Sequence, residues 1–466
     1  MHQAAIFDPE LVRRYDRPGP RYTSYPTAPL FDADFGEPEF LEQARRSNQE
    51  LIPRPLSLYV HVPYCHSPCF YCGCNRVITR DPVKGRRYLE RLLCEIELVA
   101  PLFDRDRPVV QLHFGGGTPN FLVPEQLASI VEKLGARFSF GEVSEREFSI
   151  ELDPRHVDRG DIAAYAQAGF NRASIGVQDF DPDVQRAVNR VQSVEETAAV
   201  IDDCRQARFR SVNVDLIYGL PRQTCSGFER TLDTVVDLRP DRLAVYGYAH
   251  LPGLFKAQRQ IRAEDLPDAE TRLRLLGTAV DRLTAAGYCY IGMDHFALPE
   301  DDLALALSRG GLHRNFMGYT THAECDLVGL GVSAISRIGD SYSQSRRDLP
   351  EWENAVDAGR LPVWRGLALT FDDALRADVI AQLMCRGDID IEAVERRFGI
   401  EFEAYFAEVL SRLRSLAEDG LLVMHRSRIT ATPRGRFLLR IIAMCFDRYL
   451  GPAPAPGSAQ RFSQAI

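Results

Sequence analysis

Four cysteines within ten residues constrain this chain more than any other feature of its sequence. They are Cys65, Cys69, Cys72 and Cys74. The run before them, residues 56–62, places an apolar residue at every second position, which is the period of a half-buried strand. The cysteines therefore lie in the loop that leaves the end of a strand, where α/β folds carry their chemistry.

The spacing Cys65-x3-Cys69-x2-Cys72 supplies three thiolates. Thiolates are soft ligands that select iron–sulfur clusters, zinc or copper(I). A four-iron cluster normally takes four cysteines, so three would leave one iron open to a non-protein ligand. A structural zinc site would instead be closed by four protein ligands. The cysteines alone leave three alternatives: an open cluster, a zinc loop, and a buried cluster used only for electron transfer.

Composition limits the class of protein. The 466 residues, 45% hydrophobic and 26% charged, match a soluble globular protein of two to three domains. We find no apolar run of about eighteen residues and no leader segment, which argues against membrane insertion and secretion. The net charge of −9 argues against nucleic-acid binding. The seven other cysteines are scattered, which indicates a reducing cytoplasm.

Strand-like and helix-like segments alternate from residue 56 to about residue 250. The strand candidates are 56–62, 109–115, 146–152, 172–178, 211–218 and 242–249. The amphipathic helix candidates are 86–102, 124–136, 158–168, 193–207 and 225–237. Such alternation predicts parallel strands joined by crossover helices. Six units of this α/β kind fit an open, incomplete (β/α)6 barrel and are too few for a closed eight-unit barrel.

The regions that flank the barrel follow other patterns. Proline and glycine are frequent in residues 17–27, which predicts an extended arm. The last helices precede a short hairpin, as in a winged helix, although a fold of this kind does not assign a function. The predicted division is an arm at 1–50, the barrel at 51–300, a connecting segment at 301–364, a helical domain at 365–450 and a disordered tail at 451–466.

Polar residues recur where the predicted strands end. The turn Gly115-Gly116-Gly117-Thr118 follows the second strand, and glycines let a backbone approach a ligand and present N–H groups. Further polar residues at or near strand ends are Glu151, Gln178, Arg190 and Asp215. A carboxylate inside an apolar strand must be paired or hydrogen-bonded. A structural pair with a neighbouring arginine is therefore the alternative for Asp215, and a helix cap or a surface carboxylate is the alternative for Glu151.

These features together resemble a known family. Three cysteines at this spacing, with the aromatic Tyr71 before the last one, resemble the S-adenosylmethionine radical enzymes. The lead-in Tyr59-Val-His61, the additional Cys74 and the arm sequence from Gly19 to Thr27 are similar to those of the oxygen-independent coproporphyrinogen III oxidases. The resemblance covers about residues 13–445. It implies the same incomplete barrel, an arm that helps to close the substrate cavity, and a C-terminal domain over the barrel mouth.

The resemblance also implies the cofactors. A 4Fe–4S cluster would be bound by Cys65, Cys69 and Cys72, with two molecules of S-adenosylmethionine nearby. The residues implied for the first molecule, on the cluster, are Tyr59, Gly116, Glu151, Ala249 and Ile335. Those implied for the second are Tyr71, Gly117, Thr118, Gln178, Arg190 and Asp215. Tyr71 stands where many members have phenylalanine, which keeps the stacking face.

Two residues of the cysteine region carry implied catalytic roles. The resemblance implies that Cys74 lies outside the cluster and is nevertheless needed for activity. Its role is open, and hydrogen donation is one candidate. His61 would be a proton relay or, as the structural alternative, a hydrogen-bonded residue of the pocket wall.

The implied reaction is the oxidative decarboxylation of two propionates of coproporphyrinogen III to vinyl groups, giving protoporphyrinogen IX for haem biosynthesis. It would run through a 5′-deoxyadenosyl radical made from S-adenosylmethionine. Arg21, Arg314 and Asn315 are the implied substrate contacts, because a guanidinium binds a carboxylate in bidentate fashion. An internal polar network is their structural alternative. The other implied partner is an electron-donating reductase or flavodoxin-type protein, and we expect a monomer.

Three other functions are alternatives. A haem chaperone of the same superfamily keeps the three cysteines but usually lacks Cys74 and the arm, and both are present here. A different radical enzyme would act on another acid. A DNA-binding regulator built on the winged-helix pattern is disfavoured by the acidic charge.

Overall fold

The alternating segments of the sequence form one parallel sheet. The structure is a computed structural model that describes residues 5–323 and 325–450. Its first strands are β1 (Leu56–Val62), β2 (Pro108–Gly116), β3 (Glu147–Leu152), β4 (Arg172–Gln178), β5 (Ser211–Tyr218) and β6 (Arg242–Gly247). Each strand is parallel to the next one along the chain. The predicted strands are confirmed, with small differences at their ends.

Five crossover helices connect these strands, as parallel neighbours require. They are α1 (Pro82–Val99), α2 (Pro124–Arg137), α3 (Arg159–Gln167), α4 (Val194–Gln206) and α5 (Cys225–Leu238). Four of them begin at a side chain that accepts a hydrogen bond from the first turn. These capping residues are Asp81, Asp158, Ser193 and Thr224. The helices cover the apolar face of the sheet, where the side chains of β1–β5 are fully buried.

The sheet continues on the other side of β1. The strand β7 (Asp326–Leu330) is parallel to β1, and β8 (Ile335–Ile338), β9 (Ser341–Ser345) and β10 (Val363–Ala368) follow antiparallel. Within the described residues no ladder joins β10 to β6, so the sheet is an incomplete barrel and the predicted fold class is confirmed. The sequence pattern did not reveal β7, because a short continuous apolar run has no diagnostic period.

The chain divides into two compact units. The barrel unit comprises Phe31–Pro267 and Glu324–Ala368, and the second unit comprises Met1–Leu30, Asp268–Ala323 and Leu369–Ile466. Further helices of the barrel unit are Glu37–Asn48, Pro182–Ala187 and Leu349–Asp357, and its short strands are Tyr64–Cys65, Val77–Ile78 and Ser139–Phe140. The roles of the sequence segments that we predicted as domains stay predictions.

The second unit is mainly helical. Its helices are Pro9–Tyr15, Ala269–Ala285, Asp302–Arg309, Phe371–Arg386, Ile391–Phe398, Phe402–Tyr405, Ala407–Glu418 and Leu439–Met444. Its hairpins pair Cys289–Gly292 with His295–Ala297 and His313–Asn315 with Gly318–Thr320. A three-stranded sheet of Asp388–Asp390, Arg428–Ala431 and Leu422–Met424 accompanies the last helices, as the winged-helix pattern predicts.

Two further expectations concern the C-terminal tail and membrane-spanning helices. The predicted disordered tail at 451–466 lies outside the described residues. Across residues 5–323 and 325–450, none of the helices combines the length and the apolar character that spanning a bilayer requires.

The inner face of the strands β1–β4 is polar near their amino ends. Near the amino ends of the strands, four buried side chains form what we call the floor layer: Ser57, Gln111, Glu147 and Arg172. The Ser57 hydroxyl donates to Gln111 Oε1 at 2.9 Å, Gln111 Nε2 donates to Glu147 at 3.4 Å, and Arg172 pairs with Glu147 at 2.9 Å. Barrel interiors are commonly filled by branched apolar residues. In this barrel, polar side chains that bond to one another take that place.

Candidate active site

The cysteine loop begins directly after β1 and is closed at its base. The short strand Tyr64–Cys65 pairs in parallel with Val77–Ile78, and Thr79 N donates to Cys65 O at 3.0 Å. The middle of the loop is tied to a distant segment, because Phe70 N donates to Val188 O at 2.9 Å and Asn189 Nδ2 donates to Pro68 O at 2.7 Å. The three cysteines are therefore carried by a loop that is held at its base and in its middle.

Each sulfur of the predicted ligand set receives a hydrogen bond. Thr118 Oγ1 donates to Cys65 Sγ at 3.4 Å, Arg190 Nη1 to Cys69 Sγ at 3.6 Å, and the Cys74 backbone N–H to Cys72 Sγ at 3.4 Å. Donors of this kind stabilise thiolate charge and tune iron–sulfur clusters. The backbone of Cys74 acts here as a donor to a predicted ligand, and the place of its thiol outside the ligand set stays a prediction.

The thiols differ in how easily they lose a proton. Hydrogen bonding from Cys74, aided by Arg76, lowers the pKa of Cys72 to about 6 although burial opposes this. Burial raises the pKa of Cys65 to about 11. A ligand must be deprotonated when a metal binds, so binding at Cys65 would release a proton. In the described parts of the chain, no group of three or more His, Cys, Asp and Glu side chains is arranged to hold one metal ion.

Above the floor layer, the inner face carries a second row of polar side chains, which we call the upper layer. Its members are Tyr59, His113, Ser149, Glu151, Ser174, Asn213 and Asp215, and all are half-buried. The Tyr59 ring stacks on His113 with centroids 5.8 Å apart. His113 Nε2 lies 3.3 Å from Glu151 Oε1, and Gly116 N donates to Glu151 Oε2 at 3.2 Å. The structure thus brings Tyr59, Gly116 and Glu151 together through His113.

Glu151 is poised to bind a donor. Its side chain is 43% exposed although β3 is a central strand, so the interior is hollow at this point. Burial opposes its charge, but His113 and the Gly116 N–H hold the pKa of Glu151 below its usual value. An ionised carboxylate offers about four acceptor positions. Glu151 therefore keeps capacity for an ammonium or hydroxyl donor from a ligand.

Asp215 is already hydrogen-bonded within the upper layer. Its oxygens accept from Asn213 Nδ2 at 2.8 Å and from the Ser174 hydroxyl at 3.1 Å. Burial, followed by the charge of Glu151, raises the pKa of Asp215 to about 6. The hydrogen-bond donors to Asp215 are neutral, and the charge of Arg190 also acts on this carboxyl group.

His61 connects the cysteine loop to β1. Its Nε2 lies 3.0 Å from Asn75 O, which can only accept, so Nδ1 accepts from the Tyr59 hydroxyl at 3.1 Å. Burial lowers the pKa of His61 and favours its neutral form. Both ring nitrogens are engaged, as the alternative of a hydrogen-bonded wall residue requires.

The glycine turn passes where no side chain fits. Gly116 has a φ of +113°, and a Cβ built on it would lie 2.5 Å from His61 Cε1. A Cβ on Gly117 would lie 2.8 Å from the carbonyl carbon of Pro63. Glycine is therefore needed both for the backbone conformation and for the contact with the start of the cysteine loop.

Arg190 joins the cysteine loop to the ends of two strands. It donates to Gly176 O at 2.6 Å and pairs with Asp153 at 3.3 Å, beside its contact with Cys69. Asp153 is buried, yet Arg190 and Arg155 hold its pKa below the usual value. Gln178 lies at a bulge of β4 with a φ of +73°, a rare conformation that often marks functional sites.

The remaining predicted residues are held by backbone contacts. Gln258 Nε2 donates to Tyr71 O at 2.9 Å and to Ala249 O at 3.1 Å, so these two residues are neighbours. Gly329 lies opposite Tyr59 in the ladder, and a Cβ on it would be 2.6 Å from Ile335 O. Ile335 is thereby close to the strand that carries Tyr59.

Sequence reasoning missed three residues of this site. His113 has a detectable signal, because it shares the inner face with Gln111 two positions earlier. Asp153 has only a weak signal in the sequence, as the residue before a proline. Gln258 lies in an irregular segment and has no sequence signal, since its role is to hold two backbone carbonyls together.

The three predicted substrate residues belong to the second unit. Arg314 Nη1 donates to Arg21 O at 2.5 Å, and the Arg21 guanidinium pairs with Asp294 at 3.0 Å. Asn315 Oδ1 accepts from Met317 N at 2.8 Å within its hairpin. Arg21 and Arg314 are therefore brought together, and part of their hydrogen-bonding capacity is used within the unit.

Comparison with known proteins gives consistent results. Residues 59–235 match the model of the Radical SAM superfamily, and residues 369–438 match that of the HemN C-terminal domain. The oxygen-independent coproporphyrinogen III oxidases of Pseudomonas aeruginosa and Escherichia coli are 49% and 47% identical. These alignments cover 99% and 100% of this chain and 99% of each relative.

A solved structure extends the likeness to the fold. The coproporphyrinogen III oxidase of Escherichia coli, described as a radical SAM enzyme, superposes with a TM-score of 0.91 at 47% identity. The match covers 96% of this chain and 100% of the other. A full-length likeness at this identity includes the cysteine loop, the barrel and the C-terminal domain. The chain therefore belongs to the family of oxygen-independent coproporphyrinogen III oxidases, within the radical S-adenosylmethionine superfamily.

Proposed function

We propose that this protein oxidises coproporphyrinogen III to protoporphyrinogen IX without oxygen, converting two propionates to vinyl groups. The observation that carries the proposal is the full-length likeness to coproporphyrinogen III oxidases, at 49% identity with the Pseudomonas aeruginosa enzyme. When bound, a 4Fe–4S cluster and S-adenosylmethionine supply a 5′-deoxyadenosyl radical that removes a hydrogen from a propionate side chain. The haem chaperone alternative is not supported by the relatives.

Cys65, Cys69 and Cys72 are the proposed cluster ligands. Their sulfurs fit this role because each has a hydrogen-bond donor of its own, from Thr118, Arg190 and the Cys74 backbone. These donors offset the negative charge of the thiolates. Cys74 stays free of the ligand set in this proposal, and its thiol is available beside the cluster.

The upper layer is the proposed binding surface for S-adenosylmethionine. Glu151 would accept hydrogen bonds from the first molecule, with Tyr59, Gly116, Ala249 and Ile335 around it. A second molecule would contact Tyr71, Gly117, Thr118, Gln178, Arg190 and Asp215. The accessible carboxylate of Glu151 and the carboxyl of Asp215 support this assignment, because the ligand carries an ammonium and ribose hydroxyls. His113 orients Glu151, and His61 holds the loop against β1.

The substrate is a tetra-acid, so cationic contacts are expected on physical grounds. Arg21, Arg314 and Asn315 are the proposed contacts. Arg314 supports this role because its buried Nε has no hydrogen-bond partner among the described residues. We further propose a cytoplasmic monomer that takes electrons from a reductase or flavodoxin-type protein.

Anaerobic reconstitution tests the proposed activity. The protein is loaded with iron and sulfide and mixed with S-adenosylmethionine, dithionite and coproporphyrinogen III, and protoporphyrinogen and carbon dioxide are measured. We expect both products. Haem binding without turnover would instead favour the chaperone.

Serine variants test the ligand assignment. Cys65→Ser, Cys69→Ser and Cys72→Ser should each lose the cluster, measured as iron per chain and visible absorbance. Cys74→Ser should keep the cluster and lose activity, and Cys94→Ser, an exposed thiol outside the loop, is the matched control. Loss of iron in the Cys74 variant would make that residue a fourth ligand and contradict an open iron.

A further inference from the structure

Two exposed apolar side chains lie near the base of the cysteine loop. Ile78 is 41% exposed and Val83 is 39% exposed. Ile78 is the ladder partner of Cys65, a proposed cluster ligand, and the next residue donates its N–H to Cys65 O at 3.0 Å. The protein surface and a cluster ligand are thus separated here by one pair of hydrogen-bonded strands.

Basic residues are frequent in the sequence that follows the cysteines, in an otherwise acidic chain. Residues 76–91 contain six basic and two acidic residues, whereas the whole chain carries a net charge of −9. Arg80, Lys84 and Arg87 are exposed, and none of them forms an ion pair within the described residues. The local field is therefore positive at the point where the cysteine loop meets solvent.

A surface pocket places two of these cations against the loop. It has a volume of about 530 Å³ and is lined by Lys84 and Arg87 of α1 together with Tyr64 and Val77. The acidic residues of the pocket gather around its third cation, Arg91, which lies 2.9 Å from Asp357. Lys84 and Arg87 are left to interact with solvent or with a partner.

We infer that the surface formed by Val77, Val83, Lys84 and Arg87 docks an acidic one-electron donor protein. This inference rests on the proposed function, which needs an electron delivered to the cluster. The transfer takes one electron from the reduced donor to the oxidised cluster, and no covalent bond is formed or broken. Docking here brings the donor against the strand pair that ends in Cys65.

The composition of this surface fits such a partner. A small apolar centre with a charged rim is the usual anatomy of a transient interface, and weak redox encounters are among the smallest interfaces known. Complementary charge raises the rate of encounter and makes that rate fall with added salt. An acidic donor is therefore selected over a basic or neutral one.

A charge-reversal variant tests the site. The holoenzyme of Lys84→Glu/Arg87→Glu is mixed anaerobically with reduced flavodoxin, an acidic flavin protein, and cluster reduction is followed by stopped-flow absorbance. We expect the rate to fall at least tenfold and flavodoxin affinity, measured by titration calorimetry, to weaken by a similar factor. Reduction by dithionite and product formation with dithionite should be unchanged, because that reagent needs no docking surface.

The matched control reverses two exposed cations elsewhere in the barrel unit. Arg105 precedes β2 and Arg208 precedes β5, so both lie at the amino ends of the strands, away from the cysteine loop. Arg105→Glu/Arg208→Glu should keep the flavodoxin-driven rate. An unchanged rate in the Lys84 and Arg87 variant, an equal loss in the control, or an equal loss with dithionite would each overturn the docking site. Failure of the wild-type protein to form product with dithionite would instead contradict the proposed function. The calorimetric titration with flavodoxin would still test the docking surface.

Discussion

The floor layer and the upper layer use the same chemistry on the same face of the same strands. Glu147 and Glu151 both lie on β3 and both point into the barrel, four residues apart. Glu147 is 7% exposed and is paired with Arg172 at 2.9 Å. The side chain of Glu151 is 43% exposed, and its nearest side-chain partner is the His113 ring at 3.3 Å. One carboxylate is satisfied by the protein, and the other keeps capacity for a ligand.

This difference separates structural polarity from functional polarity. Buried polar groups are tolerated when they are hydrogen-bonded or paired, and each floor-layer side chain has such a partner near the amino ends of the strands. The upper layer lies nearer the carboxyl ends of the strands, where α/β folds bind ligands. Position along the strand, and not residue type, distinguishes the two glutamates.

Replacing Glu147 should have the largest effect on stability. Glu147→Gln leaves Arg172 without its buried counter-charge, which costs about 3 kcal/mol in comparable pairs. Urea unfolding of the variant should show this loss, whereas S-adenosylmethionine binding per folded molecule should stay the same. Glu145→Gln, at an exposed position just before β3, is the matched control and should change stability by less than about 0.5 kcal/mol. Weaker ligand binding with intact stability would erase the distinction between the two layers.

Replacing Glu151 should weaken S-adenosylmethionine binding and have little effect on stability. Glu151→Gln keeps the shape but removes a charged acceptor worth about 2 kcal/mol to a ligand donor, so S-adenosylmethionine should bind roughly 30-fold more weakly. Equilibrium dialysis of the anaerobically reconstituted protein measures this affinity. The free energy of unfolding should change much less than in Glu147→Gln. Unchanged affinity would remove Glu151 from the binding surface.

The raised pKa of Asp215 predicts how the stability of the protein depends on pH. Its pKa is raised to about 6, from an ordinary value of 3.8, so the folded state keeps a proton that the unfolded state has lost between these values. Its stabilising contribution is complete below pH about 4 and is lost as the pH rises through 6, by at most about 1.4 kcal/mol per pH unit. Unfolding of the apoprotein from pH 4 to 7 should show this decline in the wild type and not in Asp215→Asn. Parallel profiles for the two proteins would contradict the raised pKa.

His113 should have the smallest effect of the four. His113→Phe keeps a ring against Tyr59 but removes the hydrogen bond to Glu151, which is worth about 1 kcal/mol. We expect S-adenosylmethionine affinity to fall about fivefold. The same substitution made in Glu151→Gln should have little further effect, because the two residues act through one hydrogen bond. Additive losses in the double variant would show that His113 acts independently of Glu151.

The sequence predicted most of the barrel and much of the site, for identifiable reasons. The strands β1–β6 alternate or are uniformly apolar between helical segments, so their existence and order could be predicted. The cysteine spacing and the glycine turn are local in sequence and needed no fold. By contrast, Gln258 and Asp153 act through backbone carbonyls and buried pairs that join segments far apart in the chain. No local sequence pattern indicates such contacts. Only the structure shows that Glu147 is paired with Arg172, whereas Glu151 is accessible to a ligand.

The anchoring of the cysteine loop affects how the protein responds to oxidative loss of its cluster. Its base is held by a strand pair and its middle by the segment at Val188 and Asn189, and none of these contacts needs iron. In zinc fingers, by contrast, the metal supplies the folding energy, and the protein unfolds when the metal leaves. We therefore expect the loop to keep its backbone structure when the cluster is lost to oxidation, so that iron and sulfide restore activity without refolding.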